Sequence, residues 1–195
     1  MFSDPLLVVA RLASVFDNLG ISYVVGGSLA SSIYGIPRAT QDVDLMADVR
    51  LIHVEPITKA LREDFYIDPE SVKDAIRDHG SFNVIHLATM FKADIFIAKG
   101  DAWWREEMIR AREETFQAVE NSPTVRFASP EDTILHKLVW YKLGDEVSER
   151  QWSDIIGVLR VQAGALDHEY LDRWAGPLMV ANLLARATAE SKKSQ

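Results

Sequence analysis

Apolar and polar residues alternate along this chain with two periods, near two in some stretches and near 3.6 in others. Residues 4–19 carry a helical stripe, with Asp4 as the expected N-cap, Pro5 in the first turn and Gly20 as the stop. Residues 21–25 read as a buried strand, 28–35 as a short helix ending at Gly35-Ile36-Pro37, and 41–47 as a second strand. Helical stretches at about 51–64 and 69–79 each hold a proline near the start. Residues 81–87 and 92–98 read as paired strands around a short turn. A helix at about 101–112 and a strand pair at about 115–127 follow. At Ala128-Ser129-Pro130-Glu131 the pattern changes. Ser129 reads as an N-cap, Pro130 takes the first helical position, and acids fill the first turn. From there the chain is helical, with breaks near Gly144-Asp145, Gly164 and Gly176-Pro177. The expected organisation is a mixed α/β (α+β) core over 1–128, a helical bundle over 129–190 and a frayed tail over 191–195.

Composition narrows the picture only a little. A chain of 195 residues, 48% hydrophobic and 26% charged, can bury a core without staples. It has no cysteine, so thiolate chemistry and disulfides are excluded. No apolar run is long enough for a membrane helix, and the first residues lack a signal-peptide pattern. The expectation is a cytoplasmic protein without a membrane partner. A net charge of −8 argues against long duplex DNA. It leaves room for an RNA end, a protein, or a small anion offset by a metal ion and a few local cations.

Two features carry chemistry. Val24-Val25-Gly26-Gly27-Ser28 runs an apolar strand into a glycine turn that opens a helix. Such a turn brings backbone N–H groups close to a phosphate, and the Ser28 hydroxyl adds a donor; the plainer reading is a tight turn. No Gly-Lys-Ser/Thr follows, so this is not a P-loop. In Asp42-Val43-Asp44-Leu45, strand alternation places both carboxylates on one face. Two adjacent like charges are relieved by a divalent cation, and hard oxygen ligands suit magnesium. Asp94 interrupts the apolar strand Phe91 to Ala98, where a carboxylate is either exposed or liganded. Arg150 and Asp154 stand four apart in a helix, where the expected arrangement is a surface ion pair. The five tryptophans fall in predicted helices and read as packing residues.

Together, Val25-Gly26-Gly27-Ser28, Asp42-Val43-Asp44 and Ala93-Asp94-Ile95 resemble the nucleotidyltransferase superfamily that includes DNA polymerase β. Arg38-Ala39-Thr40-Gln41-Asp42-Val43-Asp44 resembles the form found in minimal bacterial members, the AbiEii-type proteins associated with abortive infection and toxin–antitoxin pairs. The resemblance implies a nucleotidyltransferase fold and transfer of a nucleoside monophosphate from an NTP, such as ATP, to a hydroxyl acceptor on RNA, protein or a small molecule. It implies two Mg2+ ions, replaceable by Mn2+, on Asp42, Asp44 and Asp94. Gly26, Gly27 and Ser28 would hold the triphosphate, and Arg38, Lys92 and Lys137 are candidate phosphate ligands. For Lys92 a solvated strand lysine stands beside that role, and for Arg38 an ion pair. The residue before Asp154 is Ser153, where these relatives often have lysine, so no catalytic role passes to Asp154. A cognate toxin or antitoxin is the implied protein partner. The alternative function is a catalytically silent nucleotide-binding partner in such a pair.

Overall fold

The computed structural model describes residues 4–115 and 124–193. In chain order the elements begin with α1 (Asp4–Asn18), β1 (Tyr23–Val25), α2 (Gly27–Tyr34) and β2 (Asp42–Ala47). A 3₁₀ turn (Leu51–His53) leads into α3 (Val54–Leu61), β3 (Phe65–Tyr66) and α4 (Pro69–Asp78). Then come β4 (Ser81–His86), β5 (Lys92–Ile97), α5 (Ala102–Arg110), β6 (Arg112–Thr115) and β7 (Thr124–Phe127). Four helices close the chain: α6 (Pro130–Leu143), α7 (Glu149–Val161), α8 (His168–Ala175) and α9 (Ala181–Ser191).

Local chemistry explains most of these ends. Gly20 leaves α1 at φ 65, in the left-handed region that glycine enters freely. Asp68, Asp101, Ser129, Ser148 and Asp167 each cap the helix that follows by accepting a backbone N–H. Each such cap contributes about 1 kcal/mol. Two local features depart from the sequence reading. The helix expected over 51–64 is a 3₁₀ turn followed by eight helical residues, with Pro56 in the first turn where its missing N–H costs nothing. It is followed by β3, a two-residue strand too short to show a period.

The chain divides into two compact units: Met1–Val25 with Thr40–Phe127, and Gly26–Ala39 with Ala128–Gln195. Residues 26–39 group with the C-terminal helices in this division. Of the expected tail, Ser191 ends α9, Lys192 and Lys193 form a turn, and residues 194–195 lie outside the described residues.

The first unit holds a seven-stranded sheet among the described residues, ordered β3-β4-β5-β2-β1-β7-β6. The β2–β5 and β1–β7 pairs are parallel and the others antiparallel. One face is apolar: Val43, Leu45, Ala93 and Ile95 are at most 1% exposed. Val8, Val9, Leu12 and Phe16 of α1, Ile57 and Leu61 of α3, and Val72 of α4 are buried with it. Arg11 fastens α1 to the end of α3, donating from Nε to Asp64 (2.7 Å) and from Nη2 to the Ala60 carbonyl (2.9 Å).

The second unit packs α2 against α6 and α7, with α8 and α9 completing the bundle. At Gly35 the backbone of α2 meets that of α7. A Cβ there would stand 2.9 Å from the Ser31 carbonyl oxygen and 2.9 Å from the Val158 nitrogen, so no larger residue fits.

Candidate functional site

Alternation along β2 is strict. Val43, Leu45 and Ala47 are buried, while Asp42, Asp44 and Met46 take the opposite face. β5 repeats the pattern, with Lys92, Asp94 and Phe96 on that face. Parallel pairing sets Asp44 directly opposite Asp94, and Asp42 opposite Lys92. Neighbouring strands are about 4.8 Å apart, so these side chains are immediate neighbours. On the other side of β5, Asn83 of β4 stands opposite Asp94 and is exposed. Nothing in the sequence pattern marks Asn83, because its place beside Asp94 comes from register alone.

The Lys92 ammonium lies 2.6 Å from Asp94 Oδ2. That bond, and then the fields of Asp94, Asp42 and Asp44, hold the lysine above its ordinary pKa. The Thr40 hydroxyl donates to the Asp42 carbonyl (2.8 Å) and to its Oδ1 (3.3 Å), fixing the start of β2. At its other end this face becomes apolar, where Met46 packs against the cluster of Val24, Ala98 and Trp104. The carboxylates are thus confined to one end of two adjacent strands.

In the second unit, Gly26 precedes α2 as an N-cap without a side chain, and Gly27 begins the helix at φ 58. That φ explains a glycine at this position. Ser31 and Ser32 both donate their hydroxyls to the Ser28 carbonyl, at 3.1 and 2.9 Å. The Arg38 N–H in turn donates to Ser32 Oγ at 3.4 Å. The Arg38 side chain then folds back over α2. Its Nη2 donates to Ser28 Oγ (2.5 Å), and Nε and Nη2 form a fork on the two oxygens of Asp154, each at 2.8 Å. Lys137 meets Asp154 Oδ2 at 2.7 Å and donates to Gln151 Oε1 at 3.1 Å. Burial alone would raise the Asp154 pKa; hydrogen bonds from Arg38 and Lys137 outweigh it and hold the carboxyl below its usual range.

Asp154 corrects the sequence reading. It is no surface partner of Arg150 but a buried anion shared by Arg38 and Lys137. A signal was available. Asp154 lies three and four residues before the buried Gly157 and Val158, and Lys137 lies between the buried Ile134 and Tyr141. Two opposite charges on two buried stripes need each other. His86 is a packing residue, with its ring 5.1 Å from Phe65 and Nδ1 bonded to Thr89 Oγ1. The tryptophans all fall in helices. Trp152 packs under the Arg186 guanidinium at 4.0 Å.

The donor set on β2 and β5 suits a hard divalent cation: three carboxylates, one face, adjacent register. As they stand, no three acidic, histidine or cysteine side chains among the described residues are gathered closely enough to hold a metal ion. The Lys92 ammonium is drawn against one of these carboxylates, Asp94.

No family model and no curated protein sequence matches this chain. Solved structures do. A nucleotidyltransferase-like antigenic protein from Paracoccidioides brasiliensis superposes with a TM-score of 0.55 at 19% identity, over 96% of this chain and 93% of that one. The solution structure of the antibiotic-resistance factor ANT(2'')-Ia gives 0.54 at 16% identity, over 93% and 95%. The lincomycin-bound lincosamide antibiotic adenylyltransferase LnuA gives 0.52 at 11%, over 82% and 98%. The chain has the nucleotidyltransferase fold. Within that fold, the acidic face of β2 and β5 and the glycine turn after β1 are where the sequence motifs lie. No helix among the described residues is long and apolar enough to cross a membrane.

Proposed function

We propose that this protein is a magnesium-dependent nucleotidyltransferase that moves a nucleoside monophosphate from an NTP to a hydroxyl acceptor and releases pyrophosphate. The observation that carries the reading is the register of β2 and β5: Asp44 faces Asp94, with Asp42 on the same face. Magnesium on Asp42, Asp44 and Asp94 would neutralise charge on the phosphate oxygens. Asp94 accepts the proton of the attacking hydroxyl. The N–H groups of Gly27 and Ser28 contact the triphosphate. Arg38, whose side chain is 25% exposed, is the accessible cation of its cluster, and Lys137, at 5%, serves as buried counter-charge to Asp154. Two of the similar folds belong to proteins named for acting on or resisting antibiotics, which supports including small hydroxyl compounds among the acceptors. The Arg38-to-Asp44 pattern supports a place with AbiEii-type proteins, and hence a cognate toxin or antitoxin.

The test is incubation with each labelled NTP, Mg2+ and cell lysate, then separation of RNA, protein and small molecules. Label should enter one fraction. Asp44→Asn keeps shape but removes charge, so it should lower transfer by about a thousandfold or more while the protein stays folded. Near-normal transfer by Asp44→Asn would overturn the assignment. Nucleotide binding by the wild type without transfer to any fraction would favour the silent partner instead.

A further inference from the structure

Lys92 shares its strand face with three carboxylates, and its position is specific. It stands opposite Asp42 in register, two residues from Asp94 along β5, and its Nζ touches Asp94 Oδ2 at 2.6 Å. We propose that Lys92 is a built-in counter-ion that makes divalent-cation binding by Asp42, Asp44 and Asp94 depend on nucleotide. This deepens the transferase reading and rests on it.

The argument is electrostatic. A metal ion on Asp94 would sit within a few ångströms of the Lys92 ammonium, and the two cations repel, so the metal binds best when Lys92 moves away from Oδ2. With Lys92 in place the four groups sum to −2 rather than −3, and a dication is repelled by the lysine as well as attracted by the acids. The pair is exchangeable: the Lys92 side chain is 43% exposed and Asp94 20%, and the lysine stem is long and flexible. A metal on the three carboxylates leaves a displaced ammonium with less negative charge to pair with, Asp42 opposite it included. A triphosphate brings another anion, so nucleotide and metal together relieve what the metal alone must work against. The same contact keeps the carboxylates from repelling one another while no nucleotide is bound.

The experiment is a Mn2+ titration followed by the EPR signal of free Mn2+, with and without a non-hydrolysable triphosphate analogue. Wild type, Lys92→Met and Lys92→Arg are compared, with Lys92→Gln as a second neutral variant. Circular dichroism checks that each is folded. Removing one unit charge a few ångströms from the dication should tighten binding of Mn2+ alone about tenfold in Lys92→Met and Lys92→Gln. The factor by which the analogue tightens Mn2+ should shrink about as much. Lys92→Arg keeps the charge and should behave as wild type. Equal or weaker binding of Mn2+ alone by both neutral variants would overturn the inference and leave the transferase reading standing. If wild type takes up no Mn2+ even with the analogue, both fall together.

Discussion

Asp94 and Asp154 each meet a lysine at nearly the same distance, 2.6 and 2.7 Å, yet the two contacts are different objects. Asp94 has one cation, in a pair whose members are 20% and 43% exposed. Asp154 has two cations on its carboxylate, Arg38 and Lys137, and it and Lys137 are only 6% and 5% exposed. Water and salt can replace Lys92 at Asp94. Nothing replaces Arg38 and Lys137 at Asp154 without leaving charge buried. Distance therefore says little about what an ion pair contributes; burial, and the number of groups sharing the charge, decide whether it is fixed or exchangeable. The fixed cluster suits a scaffold that aims Arg38 at Ser28. The exchangeable pair suits a place where ligands come and go.

The largest expected effect follows from removing the fixed anion. Asp154→Ala strands Arg38 and Lys137 and should cost about 3–5 kcal/mol in urea or thermal unfolding. Lys92→Met should cost less than about 1 kcal/mol. Costs of similar size would erase the distinction. Acid titration gives an independent reading. The Asp154 pKa is depressed in the folded protein, so its contribution is present above the unfolded value of about 3.9 and is lost as pH falls through the lower folded value. The stability difference between wild type and Asp154→Asn should hold level near neutral pH and shrink only below about pH 4. A difference already shrinking at pH 6 would mean that another group controls it.

A smaller effect is expected at Gly35. Arg38 follows it by three residues, and the approach of α2 to α7 sets how Arg38 reaches Asp154. Gly35→Ala puts a methyl carbon 2.9 Å from the Val158 nitrogen and 3.0 Å from the Gly157 carbonyl carbon, backbone atoms that cannot turn aside. It should destabilise by about 1–3 kcal/mol, as overpacking does. Urea or thermal unfolding checks this, and an unchanged midpoint would mean that α2 and α7 part to admit the methyl.

What the sequence made legible has a pattern. The period-two alternation of Asp42-Val43-Asp44 and Lys92-Ala93-Asp94 was enough to assign a common face within each strand, and the structure keeps those faces. Helix ends marked by Ser129-Pro130 or Gly20 were legible because capping is local chemistry. Register was not, because it is a relation between strands; hence Asn83 opposite Asp94 went unread. The partners of Asp154 are not legible either: its nearest cation in sequence is Arg150, while the cations that bind it stand 17 and 116 residues away, where only packing brings them together. The grouping of residues 26–39 with the C-terminal helices is likewise a tertiary fact. Strand β3 leaves no mark in the sequence because two residues cannot display a period.

The smallest effect is the response to salt, and it follows from exposure alone. At physiological ionic strength the Debye length is about 8 Å, falling to about 3 Å at 1 M. Ions reach the half-exposed Lys92–Asp94 pair and screen it. They reach the Lys137–Asp154 contact far less, because both side chains are almost fully buried. A double-mutant cycle on Lys92→Met and Asp94→Asn should give a coupling of a few tenths of a kcal/mol at low salt, fading toward zero at 1 M NaCl. The matching cycle on Lys137→Met and Asp154→Asn should give a larger coupling that salt barely changes. The exposed pair can lose its coupling to simple ions only if it is open to exchange, and that openness is what a metal and a triphosphate would use. A Lys92–Asp94 coupling that survived 1 M NaCl would mean that the pair is as fixed as the buried one, and the contrast between the two aspartates would fail at its weaker member.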